Sequence, residues 1–136
     1  MIKGIIFDFD GLTFDTETPE YTCWKEIFAE YNAEFPLDLW RNGIGTIVGF
    51  SSYTYLIEQI DKKIVRELIR LHFSKRLEEM LSAEKPRPGV ENYLNDAKKL
   101  QLKIGLASSS TYSWVAGHLK NKIYTNFLNV LKHLTT

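Results

Sequence analysis

Two acids one residue apart, Asp8 and Asp10, follow the apolar run Ile5-Ile6-Phe7 and lead straight into Gly11. Ile5 to Phe7 is short and β-favouring, without polar alternation, which suits a strand buried on both faces of a parallel sheet. Residues i and i+2 of an extended chain point to the same side, so the two carboxylates should lie roughly 6 to 7 Å apart at the strand's carboxyl end. Open α/β sheets bind ligands at that end. Adjacent carboxylates repel, and a hard, oxygen-seeking cation such as Mg2+ relieves the repulsion. On these residues alone a simple turn stands equally well, because Asp and Gly are favoured turn residues. An EF-hand loop is excluded, since Leu12 lies where a third acid or its glycine is needed.

A second place for chemistry is Ser108-Ser109-Ser110, after the apolar stretch Lys103 to Ala107 and before a helical pattern carrying Trp114, Val115 and Leu119. Free backbone N–H groups at a helix start favour phosphate, and serines also cap helices for purely structural reasons. The residues leave both readings open.

Asp8-Phe9-Asp10-Gly11-Leu12 with Asp15-Thr16-Glu17, the Arg87-Pro88-Gly89-Val90 return and Ile104 to Ser110 together resemble the haloacid dehalogenase superfamily, in its β-phosphoglucomutase-like branch. The resemblance implies an α/β fold, a Rossmann-like parallel sheet core with an inserted all-helical cap domain. It implies an Mg2+-dependent phosphohydrolase acting on a small phosphorylated metabolite through an aspartyl phosphate. Asp8 would be the nucleophile and Asp10 the general acid and base. Both would serve the metal, with Gly11, Ser108 and Ser109 binding phosphate. A phosphomutase is the neighbouring reading. That branch places a His after the first motif and basic residues in the cap loop, whereas Thr16 to Glu20 has no His and Gly43 to Ser52 no Lys or Arg.

The positioning elements follow from pattern. Thr18-Pro19-Glu20 predicts a helix start with Pro19 at the first helical position, and Trp24, Ile27, Phe28 and Tyr31 recur at helical spacing to near Asn32. Leu37 to Trp40 suits a short helix. Ser51 and Ser52 can cap a third helix, and Asp61 a fourth whose apolar positions run Ile64, Leu68, Ile69, Phe73, Leu77 and Leu81. His72 and His118 read as structural. Gly43, Gly45 and Gly49 lack dinucleotide-loop spacing. The predicted organisation is a core of residues 1–16 and 86–136 around a helical cap of residues 17–85.

Composition narrows the classes. The chain has 136 residues, zero formal net charge and 44% hydrophobic content. That balance gives no electrostatic case for nucleic acid or an anionic membrane. No apolar run approaches a membrane span, no signal order opens the chain, and a cytoplasmic setting is expected. The single cysteine, Cys23, suits a buried thiol.

The resemblance weakens after Leu119. The family's third motif, a lysine, and its fourth, one or two metal-binding acids, have no recognisable counterpart, and no Asp or Glu follows Asp96. Lys132 falls within a third predicted strand, Phe127 to Leu134. The family's strand order would leave Ile5 to Phe9 as an exposed apolar edge, open to self-association or to a complementing chain. A noncatalytic phosphate-binding or interaction module is the reading from another class.

Overall fold

The computed structural model describes residues 1–45, 49–60, 63–121 and 130–131. In order these form β1 (Gly4–Asp8), α1 (Glu17–Glu30), α2 (Leu37–Gly43), α3 (Ser52–Gln59), α4 (Arg66–Ala83), α5 (Val90–Lys99), β2 (Lys103–Ala107), α6 (Tyr112–Asn121) and β3 (Val130–Leu131). They divide into two compact units, Met1–Glu17 with Leu81–Thr136, and Thr18–Met80. The architecture is a Rossmann-like parallel sheet core with an inserted helical block.

The first unit carries a parallel sheet in the order β1-β2-β3. Gly4 pairs with Lys103 and Asp8 with Ala107, so the acidic turn after β1 and the serines after β2 leave the sheet side by side. Ile5, Phe7, Ile104 and Leu106 point to the covered face and pack with Val90, Leu94 and Ala97 of α5 and Val115 and Leu119 of α6. The other face differs from the sequence expectation of a strand buried on both sides: Ile6 is 74% exposed. Helices α5 and α6 both pack on the Phe7, Ile104 and Leu106 face, and among the described residues nothing covers Ile6 on the other. Among the described residues β1 is the sheet edge, as the strand order implied. Of the predicted third strand, Val130–Leu131 is β3, while Phe127, Lys132 and Leu134 lie outside the described residues.

The second unit is held by aromatic packing. Ile27, Phe28, Phe35, Leu56 and Ile69 are buried, and Trp24 stacks on Phe73 with ring centroids 4.7 Å apart. Three expectations shift here. Helix α1 starts at Glu17, which puts Pro19 at the third helical position, still inside the first turn where no intrahelical N–H is lost. Leu68 is 64% exposed, because α4 starts at Arg66 and turns Ile69, Leu77 and Leu81 inward. His72 has an acidic neighbour after all, Glu30 of α1, at 3.6 Å. Ser51 caps α3 as expected, accepting from the Thr54 N–H at 3.3 Å; Asp61 lies outside the described residues.

Cys23 is fully buried on α1. Burial, reinforced by Glu26, pushes its thiol from the ordinary 9.0 up to about 11. The folded state favours the protonated thiol, so its share of stability is present below pH 9.0 and is lost as pH rises through about 11. Alkylation by iodoacetamide at pH 8 is expected to be at least about a hundredfold slower in buffer than in denaturant, because the thiolate is the nucleophile. Equal rates, read by mass spectrometry, would contradict the buried placement.

Candidate active site

The loop after β1 is built by its own backbone. The N–H groups of Thr13 and Phe14 both donate to the Phe9 carbonyl, at 3.1 and 3.2 Å, and the Thr13 hydroxyl donates to the Asp8 carbonyl. Gly11 sits at φ +74°, the left-handed region that glycine enters without a Cβ penalty. The return segment before α5 locks the loop from outside: the Arg87 N–H donates to the Thr13 carbonyl at 2.9 Å, and the Arg87 guanidinium meets Asp15 at 3.5 Å.

This loop presents the two acids differently. Asp8 is exposed, its Oδ1 accepting from the Phe9 N–H at 2.7 Å, with Oδ2 lacking a hydrogen-bond partner among the described residues. Asp10 is half-buried and its carboxylate is filled. Oδ1 accepts from the Thr16 hydroxyl at 3.0 Å and the Trp114 indole N–H at 3.1 Å. Oδ2 accepts from the Ser108 hydroxyl at 3.2 Å and the Ser110 hydroxyl at 2.5 Å. Four donors match the roughly four lone-pair sites of an ionised carboxylate.

Asp10, Ser108 and their neighbours therefore form one cluster, contributed by the ends of β1 and β2. Ser108 also accepts from the Ser110 N–H at 3.0 Å, which curls the loop ahead of α6. Ser109 is exposed on the same loop, and Gly11 borders the cluster through Asp10. Sequence reasoning missed Thr16, Ser110 and Trp114 as partners of Asp10. Thr16 and Ser110 lie inside stretches already singled out, but Trp114 reads only as an apolar position of a helix. His118 is structural as expected: its ring lies 4.3 Å from that of Trp114, and its Nδ1 is 2.8 Å from the Trp114 carbonyl.

The arrangement can hold an anion against hydroxyls and place a free carboxylate next to it. It can also accept a hard cation. Among the described residues no group of three or more His, Cys, Asp or Glu converges. Mg2+ keeps several waters and is commonly held by one or two carboxylates plus substrate phosphate, so two acids satisfy its demand. Asp8 has an oxygen available for this, while Asp10 joins only by releasing a donor.

Known proteins agree with the fold. Residues 5–136 match the family profile described as haloacid dehalogenase-like hydrolase, so the match continues past Leu119, where motif reading faded. The chain is 57% identical over 124 residues to "Putative phosphatase YhcW" of Bacillus subtilis, covering 88% of this chain and 54% of that protein. It is 28% identical over 117 residues to "Phosphorylated carbohydrates phosphatase" of Thermotoga maritima, covering 80% of this chain and 50% of that one. The chain thus spans about half the length of these curated relatives. Among solved structures, one described as a "putative beta-phosphoglucomutase from Thermotoga maritima" superposes with a TM-score of 0.78 at 22% identity, covering 97% of this chain and 61% of that one. No helix among the described residues is long and apolar enough to cross a membrane.

Proposed function

Since the chain belongs to the haloacid dehalogenase-like hydrolase family, we propose that it carries the nucleophile half of an Mg2+-dependent phosphatase for a small phosphorylated metabolite. The observation that carries this reading is the pairing of an available carboxylate, Asp8, with a hydroxyl cluster already gathered around a second, Asp10.

In the proposed reaction a carboxylate oxygen of Asp8 attacks phosphorus and the bond to the ester oxygen breaks. Asp10, entering the cycle as the carboxylic acid with one serine hydroxyl turned round to accept from it, gives that leaving oxygen its proton. Water then attacks the phosphorus of the aspartyl phosphate while Asp10 takes the water's proton, and inorganic phosphate leaves with Asp8 restored. Splitting one displacement into two is what a carboxylate nucleophile contributes, and proton transfer of this kind typically adds about 10²- to 10⁴-fold. Ser108, with the Ser109 and Gly11 backbone, binds the phosphoryl oxygens. Asp8 and Asp10 would hold Mg2+, which when bound would supply charge neutralisation for the transferring group. Phosphatase is preferred to mutase because Thr16 to Glu20 supplies no histidine and Gly43 to Ser52 no basic side chain. The 28% identical relative, named for phosphorylated carbohydrates, supports the substrate class.

The bare β1 edge belongs to the same proposal. An apolar strand with one edge unpaired among the described residues invites another chain, either a second copy or one that completes the sheet and its metal acids.

Calorimetric titration with MgCl2 is expected to show binding heat that Asp8→Asn abolishes. Turnover of p-nitrophenyl phosphate should stop on chelation with EDTA and return with added Mg2+. Absence of both binding and turnover would replace the enzyme reading with that of a noncatalytic phosphate-binding module.

A further inference from the structure

Three of the four donors on Asp10 are hydroxyls, and a hydroxyl rotates and exchanges donor for acceptor as its partner changes. The fourth is an indole N–H, a donor with no acceptor capacity, fixed in the plane of a ring that packs against the core cluster. That ring is wedged. It meets the His118 ring at 4.3 Å with the planes tilted by 52°, that ring in turn meets Phe9 at 6.0 Å, and the Trp114 backbone N–H is 3.4 Å from the Thr111 hydroxyl at the start of α6. A half-buried indole could satisfy its N–H with water; here it is directed at Asp10 Oδ1 instead.

We propose that Trp114 is the positioning residue for Asp10, anchoring Oδ1 so that Oδ2 is the carboxylate edge presented to the phosphate-binding serines. The inference builds on the phosphatase reading, in which Asp10 must exchange protons with groups bound beside Ser108. When an anion claims the Ser108 and Ser110 hydroxyls, Oδ2 loses partners and Oδ1 keeps its indole. The carboxylate therefore holds its orientation while its working edge is uncovered. Thr16 shares Oδ1 but cannot set direction alone, because its hydroxyl turns about its own bond.

The test uses the full chain. Trp114→Phe keeps an aromatic ring beside His118 and removes the donor together with part of the indole's bulk, so a thermal melt on the same sample controls for lost packing. With Mg2+ present, kcat for p-nitrophenyl phosphate should fall about tenfold while KM stays within about twofold, as expected of a misplaced catalytic group. A second readout does not depend on turnover. In the 15N-labelled protein the Trp114 indole N–H resonance should shift on Asp10→Ala and stay in place on Asp8→Ala. A Trp114→Phe variant with wild-type kcat, or one losing kcat, KM and thermal stability together, would overturn the assignment. So would an indole resonance indifferent to Asp10→Ala. If the wild-type chain turns over no ester, the phosphatase reading falls by itself and the resonance still decides the role of Trp114.

Discussion

Asp8→Asn is expected to lower phosphate-ester turnover by at least about 10³-fold while leaving the protein folded. The amide is uncharged, so it is a poor nucleophile toward phosphorus and a poor ligand for a hard cation. The cost in stability should be small, because the one hydrogen bond that Asp8 Oδ1 makes, from the Phe9 N–H at 2.7 Å, needs only an acceptor, and an amide oxygen supplies one. Asp8 is also exposed, so no buried charge or cavity is created. Steady-state kinetics and a thermal melt on the same sample separate the two effects. A melt within about 2 °C of wild type with turnover lost supports Asp8 as nucleophile. Unchanged turnover would remove it from that role.

The second large effect is structural. Phe28 is fully buried, with ring neighbours Phe35 at 4.8 Å, Tyr55 at 6.2 Å and Trp24 at 6.4 Å. Phe28→Ala should destabilise the helical unit by about 3–5 kcal/mol, the lost transfer energy plus a cavity that rigid aromatic walls collapse into poorly. Domains commonly have only about 5–15 kcal/mol in hand, so this unit should melt more than about 10 °C lower in calorimetry. Phe28→Leu, which refills most of the space, should cost markedly less. A Phe28→Ala melt indistinguishable from wild type would mean that the aromatic cluster does not carry the unit.

What the sequence revealed and what it hid divide along physical lines. Asp8, Asp10 and the serines were legible because each lies at the end of a short apolar run, and such runs become strands that deliver their last residues to one edge of the sheet. Ser51 was legible because capping depends on four consecutive residues. The donors on Asp10 were hidden because their convergence depends on β1 pairing with β2 in one register, a long-range fact no local window contains. Trp114 was hidden doubly, since its ring fits the apolar pattern while its chemistry lies in a single N–H. Leu68 failed for a different reason: four-residue spacing names a helical stripe, but the helix's start at Arg66 and its packing against Phe28 and Phe35 chose Ile69 instead. Ile6 failed because an apolar run announces burial without saying which face has a cover.

The register that joins Gly4 to Lys103 also dictates an order of events during synthesis. The strand that carries Asp8 emerges well before β2 and stays without that partner until the helices between them have been made. The helical unit between them, whose aromatic cluster is drawn from residues within Thr18–Met80, can close earlier. Pairings between residues so distant in sequence form slowly, because the loop must be closed before any bond compensates its entropy. An insert that folds first draws its two ends together and shortens that search. On this view the helical block acts as a folding clamp for the strand pair on either side of it, and its aromatic core is a kinetic asset to the acidic turn it never touches in sequence.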